Sequence, residues 1–89
     1  MTIRFTKSLK RFFPELTTLN VHSDSLQSVL MEVNKIYPGI RQYILDERGS
    51  LRKHVNIFID GEMLNDRITL SDNIDTANEI YILQALSGG

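Results

Sequence analysis

The chain ends in ILQALSGG, Ile82 to Gly89, and the group of most chemical interest is the α-carboxyl of the last residue. Such a group has a pKa near 3.5, so at neutral pH it is a carboxylate. Gly88 and Gly89 leave it on bare backbone, because a Cβ at either position would widen the thread and restrict its φ/ψ choices. Extended, residues 85–89 cover about 16 Å at roughly 3.3 Å each. Two terminal glycines without side chains add little to stability. Such an end is either an accident or the working end of the molecule.

Few other side chains are arranged for chemistry. The chain has no cysteine, which excludes disulfides, a thiolate nucleophile and cysteine-ligated zinc. Any sulfur it handles cannot sit on one of its own side chains. His22 and His54 are far apart in sequence with no partner at ligand spacing, so both are expected on the surface and no metal is expected. Ser87 has no nearby general base to activate it, and Asp60 and Glu62 merely flank a turn glycine. There is no glycine-rich phosphate loop, so no cofactor of its own is expected and any ATP must be bound by another protein.

Charge is nearly balanced but unevenly spread. Residues 1–59 carry nine Lys/Arg against five Asp/Glu, whereas 60–89 carry Arg67 alone against six acids. The last third is either an acidic surface facing a basic partner or a solvated one. Lys7, Lys10 and Arg11 sit beside Phe12 and Phe13, leaving open a contact to an acidic partner groove. The net charge of −1 argues against nucleic acid.

A chain of 89 residues makes one domain with a modest core and little room for an internal active-site cleft. No apolar run approaches the roughly 18 residues needed to cross a membrane. The opening MTIRFTKSLKRFF mixes basic and apolar residues and lacks the apolar block and cleavage site of a signal peptide. A cytoplasmic location with no membrane partner is expected.

The tail needs a scaffold, and hydrophobic periodicity supplies its outline. Ile3 and Phe5 alternate with polar neighbours as in a half-buried strand, and Leu19 and Val21 alternate with Asn20 and His22 in a second that is close enough to pair with it. Asp24 and Gln27 have the spacing of a capping box. Beyond them Leu26, Val29, Leu30, Val33, Ile36 and Tyr37 form one helical stripe of about 14 residues, stopped by Pro38 and Gly39. A shorter helical turn is expected at IRQYIL. In HVNIFIDGE, Val55, Ile57 and Ile59 point one way and Phe58 the other, with a turn at Asp60-Gly61. MLNDRITLSDNIDTAN reads as irregular, anchored by Leu64, Ile68, Leu70 and Ile74. In EIYILQAL, Ile80 and Ile82 share one face and Tyr81 and Leu83 the other. The order predicts an α+β domain over residues 1–84, a mixed sheet with one long helix on one face and the first and last strands central, followed by a flexible tail over 85–89.

HVNIFIDGE (54–62) and EIYILQALSGG (79–89), carried on that order of elements, resemble the ubiquitin-like (β-grasp) sulfur carriers. These include the small subunit of molybdopterin synthase, the thiamine-biosynthesis carrier and the carrier used with a cysteine synthase-like enzyme. The region DERGSLRKHVNIFIDGE looks most like the longer cysteine-biosynthesis type. Gln84 stands where such carriers often have proline.

The resemblance implies a protein cosubstrate rather than an enzyme, or the non-catalytic small subunit of a synthase. An E1-like enzyme would use ATP and magnesium to adenylate the Gly89 carboxylate and then replace the adenylate with sulfur. A sulfur-accepting biosynthetic enzyme would take the resulting thiocarboxylate. Phe58, Tyr81, Leu83 and Leu86 are the expected docking patch, with a loop partly covering that face as the alternative. Two other functions share the fold: a modifier conjugated to other proteins through Gly89, and a non-covalent ubiquitin-like interaction domain.

Overall fold

Ile80 and Ile82 are fully buried, and the strand that carries them is the centre of the molecule. A computed structural model describes residues 1–84. In chain order these form β1 (Thr2–Phe5), a 3-10 helix (Lys7–Arg11), β2 (Leu19–Asn20), α1 (Leu26–Ile36), α2 (Ile40–Ile44), β3 (Val55–Ile59), β4 (Glu62–Met63) and β5 (Glu79–Gln84). The sheet order is β2-β1-β5-β3-β4. β5 runs parallel to β1 and antiparallel to β3, so the first and last strands are central, as their apolar alternation predicts. Sheet and helices share one core that includes Ile3, Leu26, Leu30, Ile40, Ile57, Ile80 and Ile82. This is the β-grasp arrangement.

Helix α1 begins one residue later than the Asp24–Gln27 capping box would have it. Its N-cap is Ser25, whose hydroxyl accepts from Ser28 N–H at 3.1 Å, while Gln27 Nε2 reaches across to Thr69 O at 3.3 Å. The helix has 11 residues rather than about 14. Leu26, Val29, Leu30 and Val33 are buried as the stripe predicts, but Ile36 is 53% exposed. Ile36 lies on the flank of the stripe at the helix end. Tyr37, nearer its centre, packs on the core instead, and its hydroxyl donates to Glu15 O and accepts from Thr17 N–H. Asn34 Oδ1 then takes the N–H groups of both Gly39 and Arg41, joining the end of α1 to the start of α2.

In the segment after β4, Leu64, Leu70 and Ile74 are buried anchors, whereas Ile68 is 68% exposed. The backbone there wraps around the Asp66 carboxylate, and the bonds that Ile68 and Thr69 N–H make to it turn the Ile68 side chain outward. β4 was not expected: the sequence pattern puts its Glu62 on the flank of the turn and its Met63 at the start of the irregular stretch. Asp60 (φ 50°) and Gly61 (φ 86°) both have positive φ, the requirement of a two-residue type I′ hairpin, so Glu62 and Met63 pair back onto Ile59 and Phe58.

Candidate functional site

The second face of the sheet is set by alternation in β3 and β5. With Val55, Ile57, Ile80 and Ile82 buried, Phe58, Tyr81 and Leu83 must project to the opposite side, and each is half-buried there. The antiparallel register places Phe58 directly opposite Tyr81 and Asn56 directly opposite Leu83. Three of the expected docking residues therefore come together. The fourth, Leu86, and the expected reacting residues Gly88 and Gly89 lie outside the described residues.

Neighbouring strands extend the patch. Met63, opposite Phe58 on β4, is 56% exposed, and Arg4, opposite Tyr81 on β1, lies 5.3 Å from the centroid of its ring. Arg4, Tyr81, Phe58 and Met63 thus form one row across four strands. Arg4 Nη1 also lies 3.5 Å from Glu79 Oε2, an exposed pair. On the next row Arg67 donates to Asn56 Oδ1 at 2.5 Å and to Arg52 O at 2.8 Å, so the segment after β4 covers part of this face. The surface is an apolar strip with a guanidinium on each flank, a form that suits an apolar anchor with an acidic rim. Met63 was legible in principle: a two-residue Asp-Gly turn obliges the chain to return alongside β3. Arg67 carried no such signal.

Several acids of the last third are occupied with the chain's own backbone. Asp60 Oδ1 accepts from Asn78 and Glu79 N–H, both at 2.9 Å, fixing the start of β5 against the β3–β4 turn. Asp72 accepts from Asn65 and Asp66 N–H at 3.0 and 2.8 Å. Asp66 accepts from the hydroxyls of Ser71 and Thr69 and from the N–H groups of Ile68, Thr69 and Ser71. Those bonds, Ser71 and Thr69 hydroxyls first, hold its carboxyl well below the usual carboxylate range. Asp46 is lowered too, mainly by the Ser50 N–H. These carboxylates organise turns, a third use beside partner contact and solvation.

Elsewhere the side chains offer less. His22 and His54 are exposed, and among the described residues no group of three or more His, Cys, Asp or Glu is placed to hold a metal ion. Phe12 and Phe13 pack on Tyr43, with centroids 4.7 and 5.9 Å away. No helix among the described residues is long and apolar enough to cross a membrane.

Neither protein-family models nor curated proteins match the chain. Solved structures do. A chain of the Amycolatopsis orientalis BexX/CysO complex superposes with a TM-score of 0.79 at 17% identity, covering 99% of this chain and 98% of that one. Mycobacterium tuberculosis CysO, an antigen, gives 0.74 at 21% identity over 96% and 98%. The small archaeal modifier protein 1 of Methanosarcina acetivorans gives 0.69 at 25% identity over 99% and 94%. These likenesses span nearly the whole chain in both directions and establish the ubiquitin-like fold.

Proposed function

We propose that this chain is a ubiquitin-like sulfur carrier, a protein cosubstrate whose Gly89 carboxylate is the reacting group. The observation that carries the reading is the course of β5. The central strand bears Tyr81 and Leu83 of the apolar strip, and ALSGG follows it directly. A partner docked on the strip would therefore sit beside the point from which the last five residues depart.

The partner of this proposal is an E1-like adenylating enzyme that supplies ATP and magnesium. A carboxylate oxygen of Gly89 attacks the α-phosphorus, the bond to the β-phosphate breaks, and pyrophosphate leaves. Hydrosulfide then attacks the acyl-adenylate carbon and AMP departs, leaving a thiocarboxylate. Magnesium neutralises phosphate charge within the partner's site. A biosynthetic enzyme next takes the sulfur. The resemblance of residues 46–62 favours a cysteine-biosynthesis acceptor first and a molybdopterin precursor second. The likeness to a chain of the BexX/CysO complex supports a carrier that docks on another protein.

The likeness to a small archaeal modifier protein favours one second reading, conjugation of Gly89 to other proteins. The test is the intact mass of the untagged chain after incubation with ATP, sulfide and the E1-like enzyme of its host. Replacement of one oxygen by sulfur at Gly89 supports the carrier. An unchanged mass with an active enzyme overturns it, and Gly89 adducts on target proteins in extracts would move the assignment to the modifier.

A further inference from the structure

The main chain of Gln84, the last described residue, is held by two hydroxyls. Gln84 N–H donates to Thr6 Oγ1 at 3.1 Å, Ser8 Oγ donates to Gln84 O at 2.8 Å, and the two hydroxyl oxygens are 3.0 Å apart. The proton count orders this set. Ser8 spends its only hydroxyl proton on Gln84 O, so the Thr6 hydroxyl must donate to Ser8. The result is a closed relay from Gln84 N–H through Thr6 and Ser8 back to Gln84 C=O, and all three residues are half-buried.

The relay continues a ladder whose backbone has left. β1 and β5 pair in parallel up to Phe5 and Ile82, and Thr6 N–H still bonds Ile82 O at 3.1 Å. The next bonds of a parallel ladder would join Gln84 N–H to Thr6 C=O and Ser8 N–H to Gln84 C=O. Thr6 is, however, the N-cap of the 3-10 helix, and its carbonyl accepts from Leu9 N–H. The two hydroxyls stand in for the missing carbonyl and amide. On the other side of β5, Gln84 is in register with Val55.

We infer that Thr6 and Ser8 are positioning residues that keep β5 paired through Gln84 and so fix the point from which residues 85–89 are presented to an activating enzyme. The inference rests on the carrier reading above. Without the relay the end of β5 is free to fray. A partner must then order more backbone to engage Gly89, which lowers turnover more than docking.

The test uses the full chain with Ser8→Ala, Thr6→Val and the double variant, and Thr6→Ser as the hydroxyl-retaining control. Amide exchange at Gln84 is read by NMR, and activation by ATP–pyrophosphate exchange with the host E1-like enzyme. The expected result is at least tenfold faster exchange at Gln84 in the double variant and a fall in kcat of about tenfold, the worth of roughly one residue's backbone freedom. Affinity for the enzyme should be little changed, and Thr6→Ser should behave as the unaltered chain. Ser8→Ala alone removes the bond to Gln84 O and the acceptor of the Thr6 hydroxyl but keeps the bond from Gln84 N–H to Thr6, and should show the same direction. Unchanged Gln84 exchange, or a double variant activated as fast as the parent, overturns the relay's role while leaving the carrier reading intact. Failure of the unaltered chain to be activated overturns the carrier reading and the presentation role with it.

Discussion

Phe58 on β3 and Tyr81 on β5 stand directly opposite each other in the antiparallel ladder, on the sheet face turned away from the core. Each is half-buried, so together they hold the strip in shape yet leave ring surface for a partner. A cross-strand aromatic pair contributes about 0.2–1 kcal/mol to the sheet, whereas an aromatic anchor at the centre of an interface is worth about 2 kcal/mol or more to binding. Phe58→Ala and Tyr81→Ala are therefore expected to stay folded and to weaken binding to the activating enzyme roughly thirtyfold, as titration calorimetry would read. Leu83→Asp should do the same by placing a charge in the strip. Unaltered affinity in all three would move the docking surface off this face.

The second prediction concerns the tail. Gly88→Ala and Gly89→Ala add a Cβ to a segment that the carrier reading threads through a narrow channel. Adenylation should fall sharply for each, while the thermal midpoint and the amide spectrum of residues 1–84 remain those of the parent. Pyrophosphate exchange is the direct readout. Normal turnover of both variants would mean that Gly89 is not the reacting residue.

The sheet and its inner face were legible because period-two alternation in β1, β3 and β5 leaves only one way to bury Ile3, Val55, Ile57, Ile80 and Ile82 together. The same alternation placed Phe58, Tyr81 and Leu83 on one surface. What escaped was set by single hydrogen bonds. Ser25 rather than Asp24 caps α1, a choice decided by which side chain meets Ser28 N–H. Ile68 points outward because the backbone beside it is bound to Asp66. The Thr6–Ser8 relay depends on the chain turning into a 3-10 helix just where β5 continues, a coincidence between residues 76 and 78 positions apart.

Asp66 gives the molecule a defined response to acid. Its folded-state pKa is depressed by the Ser71 and Thr69 hydroxyls and by backbone N–H groups. A depressed carboxylate contributes stability that is present above its unfolded pKa of about 3.9 and is lost as pH falls from there through the folded value. Asp46, also lowered, adds in the same direction. Asp66→Asn should lower the thermal midpoint at pH 7 and flatten the decline below pH of about 4, so that parent and variant converge in acid. Parallel curves across that range would show that the Asp66 charge does not support the turn.

The cap of α1 offers the sharpest separation of two adjacent residues. Ser25 has extended backbone angles (φ −147°, ψ 156°), and its hydroxyl accepts from Ser28 N–H while donating to Ser28 Oγ at 3.0 Å. Asp24 is exposed and makes none of these bonds. Removing an N-cap hydroxyl leaves a helix-end amide without its partner, at a cost of about 1 kcal/mol. Urea unfolding should therefore show Ser25→Ala destabilised by about that amount and Asp24→Ala within about 0.5 kcal/mol of the parent. The two residues differ in what they can do for the helix beyond bonding, since Asp24 brings a negative charge near its positive end. Adding salt therefore separates the two effects: a deficit in Ser25→Ala that persists in salt belongs to the hydrogen bond. The opposite ranking, Asp24→Ala the weaker protein, would return the cap to Asp24 and start the helix one residue earlier.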